Sequence, residues 1–252
     1  GMLGNAVYKF FSVQEEYEIL TTEKRFGGAE FNDELRNTNA EIIINGIGII
    51  PQKKPEIALY KSINIDLPVF LESIGKKIIH PSTDCEFSGN VASTYKYTKK
   101  DARDATDDYG KSKAEISKRI EENFKNTKII RTSIIGHEEK TYLSLLDWFL
   151  SSEGQVNGYT NQYWNGITTL EWAKQCRYLF ESWDTLPVLN QFGTKDIRSK
   201  YDLLNDIKDV YGKNIGIIPF EASESVNKCL ESDKEITSIS DQLKELRAFY
   251  KK

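Results

Sequence analysis

The chain is poor in the residues that build metal centres, covalent staples and membrane anchors. Among 252 residues there are three cysteines, two histidines and one methionine. Cys85, Cys176 and Cys229 are odd in number, widely spaced and without CxxC neighbours, so neither a disulfide framework nor a zinc site is expected, and a reducing, cytoplasmic setting is. No other metal site is expected. Apolar runs are short as well: Ile42 to Ile44 and Ile47 to Ile50 are strand-length, far below the roughly 18 residues that a bilayer-spanning helix needs. No secretory or lipidation signal stands out. An excess of one charge is also missing, since 34 basic and 38 acidic side chains leave a net charge of −4; this excludes a global footprint for nucleic acid or an anionic membrane. What is present is an ordinary globular composition, 39% hydrophobic, 29% charged and 12% aromatic, in a chain long enough to bury a substantial core.

Strand and helix signals alternate from near the start to about Ser133. Glu41 to Ile50, Lys77 to Pro81 and Lys128 to Ser133 are short β-branched runs with little polar alternation, the pattern of strands buried on both faces. Between them, Glu56 to Gly75 and Tyr109 to Phe124 have helical spacing, so the natural solution is a parallel sheet covered by helices on both sides. The connection Phe31 to Ala40 is short and leaves little room for a helix. Beyond Ser133 the pattern changes to helices at Leu143 to Leu150, Thr169 to Ser182, Tyr201 to Tyr211 and Ser240 to Tyr250, with a short strand at Ile215 to Pro219. This predicts a second, smaller lobe.

The most informative segment is Ser82-Thr83-Asp84-Cys85-Glu86-Phe87, followed by Tyr109-Gly110-Lys111-Ser112-Lys113. A hydroxyl at the carboxyl end of a strand lies where open α/β sheets bind ligands. A spacing of four places Tyr109 and Lys113 on one helix face, one turn apart. A nearby ammonium stabilises a phenolate and would lower the tyrosine from its ordinary pKa of about 10 towards neutrality, making a usable general acid. By itself, a tyrosine and a lysine four apart are found on many solvated helices.

The ordered set of motifs is more specific. Gly1-Met2-Leu3-Gly4 opens the first helix, Ile44-Asn45-Gly46-Ile47-Gly48 lies at a strand end and Asn64 in the next helix. Ser82-Thr83-Asp84 with Phe87, Tyr109-x-x-x-Lys113, Arg131-Thr132-Ser133-Ile134-Ile135-Gly136 and Ser199-Lys200-Tyr201-Asp202-Leu203-Leu204 follow in turn. Over nearly its whole length the sequence resembles the extended short-chain dehydrogenase/reductases, and within them the dTDP-4-dehydrorhamnose reductase group. The resemblance implies an α/β chain with a Rossmann-type doubly wound parallel sheet and a small α+β C-terminal substrate lobe. Residues 1–136 would form the NAD(P)-binding domain and 137–252 mainly the substrate lobe, with segments around 159–192 returning to the first domain. It further implies hydride transfer from a nicotinamide to a 4-keto sugar nucleotide. Tyr109 would donate the proton, Thr83 would hydrogen-bond the carbonyl oxygen, and Lys113 would tune the tyrosine and hold the nicotinamide ribose. Gly1, Met2, Leu3 and Gly4 would let the cofactor pyrophosphate approach a helix N-terminus; Gly46, Ile47, Asn64, Thr132 and Ser133 would line the cofactor. Asp84, Phe87 and Ile134 would face the substrate.

The chain opens without the strand that normally precedes such a glycine turn. The expectation is that the sequence continues upstream of Gly1, the alternative being a copy that has lost its first strand. The second strand, Glu18 to Thr22, runs into Glu23-Lys24-Arg25 without the terminal acid that accepts from a ribose 2′-OH. Thr22 with Lys24 or Arg25 suits a 2′-phosphate, so NADP(H) is favoured over NAD(H). His137 is either a substrate contact or a packed residue, and His80 is expected to be structural. Tyr163 and Trp164 either stack on the substrate or pack the lobe. Cys85 reads as a small core residue, and Lys99-Lys100 and Lys251-Lys252 as solvated charge. Three functions remain open: a reductase of a nucleotide-activated deoxysugar serving surface polysaccharide synthesis, a sugar-nucleotide epimerase or dehydratase, and a non-catalytic nucleotide-binding subunit of the same fold. The expected partner is a sugar nucleotide, not nucleic acid or membrane, with a homodimer as the assembly to test.

Overall fold

Adjacent isoleucines on neighbouring strands organise the N-terminal half, because successive side chains of a strand point to opposite faces. A computed structural model describes residues 1–139 and 142–251; Lys252 lies outside the described residues. In chain order, α1 (Met2–Phe11), α2 (Ala29–Arg36) and β1 (Ile42–Ile44) lead to a helical run of α3 (Ile57–Leu59), a π-helical stretch (Tyr60–Asp66) and α4 (Leu67–Glu72). Then come β2 (Lys77–Ser82), α5 (Asp108–Asn123) and β3 (Thr127–Arg131). Ile78 and Ile129 face one side of the sheet, the first with Phe31, Leu67 and Leu71, the second with Ile65, Ile116 and Ile120. Ile79 and Ile130 face the other side, against Leu3 and Phe11 of α1. Each such fully buried side chain contributes roughly 1.5–3 kcal/mol.

The second half comprises β4 (Ile134–Ile135), α6 (Leu145–Ser151), β5 (Gln155–Tyr159), β6 (Gln162–Trp164), β7 (Ile167–Thr168) and α7 (Thr169–Glu181). These are followed by β8 (Leu189–Gln191), β9 (Arg198–Ser199), α8 (Lys200–Tyr211), β10 (Gly216–Phe220), β11 (Val226–Asn227) and α9 (Ile239–Tyr250). The main sheet has the order β1-β2-β3-β8 and is parallel throughout. Here β8 pairs with β3, and Trp172, Cys176 and Leu179 of α7 cover the α1 face. A separate cluster of Leu146, Phe149, Leu203, Ile207, Leu243 and Leu246 joins α6, α8 and α9. The α/β class with a parallel sheet covered on both faces is thus the one expected, and among the described residues no helix is long and apolar enough to cross a membrane.

Three local expectations are corrected. The run 41–50 pairs only over Ile42–Ile44; just beyond, the Ile47 N–H is taken by the Asn45 side-chain oxygen at 2.9 Å rather than by a strand partner. The strand expected at 18–22 does not form: an extended segment becomes a strand only by pairing, and these residues have no ladder partner, although Tyr17 and Ile19 pack on the core. Conversely, 29–36 does hold a helix; two turns suffice to bury Phe31 against Leu67, Leu71 and Ile78.

Candidate functional site

The register of the sheet brings the site together. Ser82 lies opposite Arg131, so Thr83 and Thr132 leave the sheet side by side at its carboxyl end. Thr83 caps a short 3-10 turn (Asp84–Glu86): its Oγ1 accepts from the Cys85 N–H at 3.1 Å and donates to Asp84 Oδ1 at 3.0 Å. The start of α5, where Asp107 accepts from the Gly110 N–H at 2.8 Å, packs directly on that turn. A Cβ on Gly110 would lie 2.2 Å from the Cys85 carbonyl oxygen, so only glycine permits this approach. Tyr109 is thereby set beside the Thr83 turn, half-buried and with the Tyr60 ring 6.2 Å away.

Lys113, one turn further along α5, is buried. Its Nζ donates to the Pro81 carbonyl at 2.6 Å and lies 3.4 Å from His80 Nε2. The Asn45 amide fixes the histidine: its oxygen accepts from the Ile47 N–H at 2.9 Å, so its nitrogen donates to His80 Nδ1 at 3.2 Å. Burial and Lys113 hold His80 well below its ordinary pKa; the neutral ring then carries its proton on Nε2, facing the lysine. Burial also lowers Lys113 to about 8, while Glu86 pulls the other way. The expected lowering of Tyr109 is not what the structure shows. Its phenol is pushed up, first by burial and then by Cys85, Asp84 and Asp107, with only Thr83 favouring the phenolate; Lys113 is engaged by Pro81 and His80 instead.

The cofactor-side candidates fall at the same end of the sheet. No side chain caps α1, which leaves N–H groups of Met2, Leu3 and Gly4 available as donors at a positive helix end. A Cβ on Gly46 would approach Gly4 Cα to 2.9 Å, so the end of β1 and the start of α1 meet at glycines. Gly46 is half-buried, Ile47 exposed, Thr132 buried and Ser133 half-buried. These open amides and strand ends fit a dinucleotide with its pyrophosphate at the helix start. Asn64 braces instead: it accepts from the Ile49 N–H at 3.1 Å and donates to Ser112 Oγ at 3.1 Å, and Ser112 donates to the Tyr109 carbonyl at 2.7 Å. Thr22, Lys24 and Arg25 lie on the unpaired segment, where Lys24 pairs with Glu30 at 2.5 Å.

On the substrate side, Asp84 is buried beside Thr83 and Ile134 is half-buried in β4. Phe87 is fully buried, stacked on Tyr97 at 4.1 Å with the Arg131 guanidinium 5.2 Å from its ring, so it supports the turn from beneath. His137 is buried in the lobe: Nδ1 is 2.6 Å from Asp147 Oδ1, Nε2 is 2.9 Å from the Tyr211 hydroxyl, and Tyr250 packs edge-on. Trp164 donates its indole N–H to Ser133 Oγ at 2.8 Å, while Tyr163 is half-buried in β6. Burial pushes the Cys85 thiol up to about 12, which withholds the thiolate a nucleophile needs. Lys99 forms an ion pair with Asp233 at 2.7 Å. Sequence reasoning missed Asn45, Glu86 and Lys200 and treated His80 as structural. Lys200 lies over the Trp164 ring at 5.5 Å, lowered by burial and opposed by Asp84. Each lies within or beside a recognised motif, but their partners are tens of residues away.

A parallel sheet with helices on both faces, carrying a hydroxyl, a phenol and an amine at its carboxyl end, is a Rossmann-type architecture. The model of the RmlD substrate binding domain matches residues 67–231, well over half of the sequence, and the chain belongs to that family. A dTDP-4-dehydrorhamnose reductase of Clostridium acetobutylicum superposes with a TM-score of 0.83 at 18% identity, over 100% of this chain and 97% of that one. A dTDP-4-dehydrorhamnose reductase of Bacillus anthracis in complex with NADP gives 0.81 at 15% identity, over 98% and 95%. A UDP-N-acetylglucosamine 4-epimerase of Methanobrevibacter ruminantium gives 0.73 at 14% identity, over 99% and 95%. At these identities the likeness is one of fold. No curated protein matches the sequence.

Proposed function

We propose that this chain is an NAD(P)H-dependent reductase of a 4-keto, nucleotide-activated deoxysugar, with Tyr109 as the proton donor. The observation that carries the reading is the convergence of Thr83, Tyr109 and Lys113 at the carboxyl end of β2. A bound nicotinamide would supply the hydride. The chain's own part is to hold the proton and the carbonyl. Tyr109 remains a phenol at neutral pH, as an acid must, and Thr83, on turning its hydroxyl away from Asp84 Oδ1, would supply a second donor to an oxygen on which charge develops. The amides at the start of α1, with Gly46, Ile47, Thr132 and Ser133, would hold the dinucleotide, and Lys113 its ribose. Asp84, Ile134, Tyr163 and Trp164 would border the sugar nucleotide. Residues 1–136 would act as the cofactor domain and 137–252 mainly as the substrate lobe. The structural likeness to a 4-epimerase favours one second reading, an epimerase or dehydratase, which recycles its cofactor where a reductase consumes it.

The test is fluorescence titration with NADPH and with NADH, followed by turnover on a panel of 4-keto sugar nucleotides. Consumption of one NADPH per sugar reduced supports the reductase. Conversion without net oxidation supports the epimerase or dehydratase, and absence of nucleotide binding moves the reading to a non-catalytic subunit. Selective NADPH binding would assign a 2′-phosphate to the neighbourhood of Thr22, Lys24 and Arg25.

A further inference from the structure

Behind the site sits one carboxylate that touches the segments carrying it. Glu86 is fully buried. Its Oε1 accepts from the Ser82 hydroxyl and from Ser117 Oγ, the latter at 2.5 Å. Its Oε2 accepts from Arg103 Nε at 2.6 Å and forms an ion pair with Arg131 Nη2 at 2.7 Å. Ser82 immediately precedes Thr83. Ser117 lies one turn beyond Lys113 on α5, Arg131 immediately precedes Thr132 and Ser133, and Arg103, which also binds Glu121 of α5, lies in the loop leading to that helix. Removing a carboxylate from water is expensive unless its lone pairs are filled and its charge is met. Here Ser82, Ser117 and Arg103 fill the lone pairs, Arg103 and Arg131 meet the charge, and Glu86 with Glu121 balances Arg103 with Arg131.

We propose that Glu86 is a positioning residue: its carboxylate locks the Thr83 strand end, the Tyr109 and Lys113 helix and the end of β3 into one register. The groups beside the Lys113 ammonium are the Pro81 carbonyl and His80 from β2, and the charge acting on it from the turn is that of Glu86. The carboxylate favours the positive charge, which burial opposes. The catalytic meaning of the device rests on the reductase reading, but its existence can be measured without turnover.

In the purified full chain, the titration of Lys113 is followed by the pH dependence of its acetylation with acetic anhydride, read by mass spectrometry, with thermal melts checking that each variant is folded. The wild-type midpoint is expected at about 8. Glu86→Gln should move it down, because the favourable charge is gone, and Arg103→Gln should move it up, because one counter-charge of Glu86 is gone. No shift in either folded variant, or shifts of the same sign, overturns the proposal; if Glu86→Gln does not fold, the shift in Arg103→Gln decides alone. In turnover, Glu86→Gln should lower kcat on the order of 10²-fold with the KM for NADPH changed less than about twofold, the effect of displacing reacting groups by about 1 Å. An unchanged kcat overturns the positioning role. If the wild type reduces no sugar nucleotide, the reductase reading fails while the labelling result still decides the role of Glu86.

Discussion

The end of β2 and the start of α5 differ sharply from segment 18–25. At the first, Lys113, His80 and Asn45 are linked by contacts inside the protein, Thr83 is held by Asp84 and Cys85 of its own turn, and Glu86 ties the surrounding segments from behind. At the second, the backbone has no ladder partner, and the main side-chain contact is the exposed Lys24 and Glu30 pair at 2.5 Å. The groups proposed for chemistry are therefore placed before any ligand arrives, which lowers the cost of orienting them. The groups proposed to choose between cofactors are solvated, and exposed charges of this kind contribute little.

The contrast can be broken most severely at the braced end. Tyr109→Phe removes the proton donor but not the ring; kcat for sugar-dependent NADPH oxidation should fall about 10² to 10⁴-fold, with NADPH affinity unchanged by fluorescence titration. Unchanged turnover would remove Tyr109 from the mechanism. A smaller effect is expected from pH. If the ammonium of Lys113 is required, kcat should fall about tenfold per pH unit above its value of about 8. The sign for stability is opposite. The lysine is held below its unfolded value, so the cost of burying its charge is present below about pH 8 and is relieved as pH rises towards its unfolded value of about 10.4; kcat and urea stability measured together should diverge there. The smallest effect is expected at the loose end. Lys24→Ala should change urea stability by less than about 1 kcal/mol and weaken NADPH binding more than NADH binding. Equal weakening of both would detach Lys24 from cofactor choice.

Much of the fold was legible because period and burial carry it. The runs at Lys77 to Pro81 and Lys128 to Ser133, and the helical spacing from Tyr109 to Phe124, correspond to β2, β3 and α5 within one or two residues. These elements bury apolar faces whose periodicity is written along the chain. The errors at 18–22 and 29–36 have a shared origin. Whether an extended segment pairs, and whether two turns of helix find a core to cover, depends on neighbours distant in sequence. The same limit applies to the site. Thr83, Tyr109 and Lys113 stand out through motif and spacing, whereas the roles of Asn45, His80 and Glu86 arise mainly from partners 17 to 45 residues away.

The sequence by itself determined the α/β class, the parallel order of buried strands and the types of side chain at their carboxyl ends, since hydrophobic period, length and motif order are local properties. Tertiary structure alone decided that Phe87 and His137 are packed inside, that Lys113 turns to Pro81 and His80, that burial raises the Tyr109 phenol, and that Glu86 binds four segments together. Those outcomes are set by desolvation and by charges brought close through folding, quantities that do not exist until the chain has closed on itself.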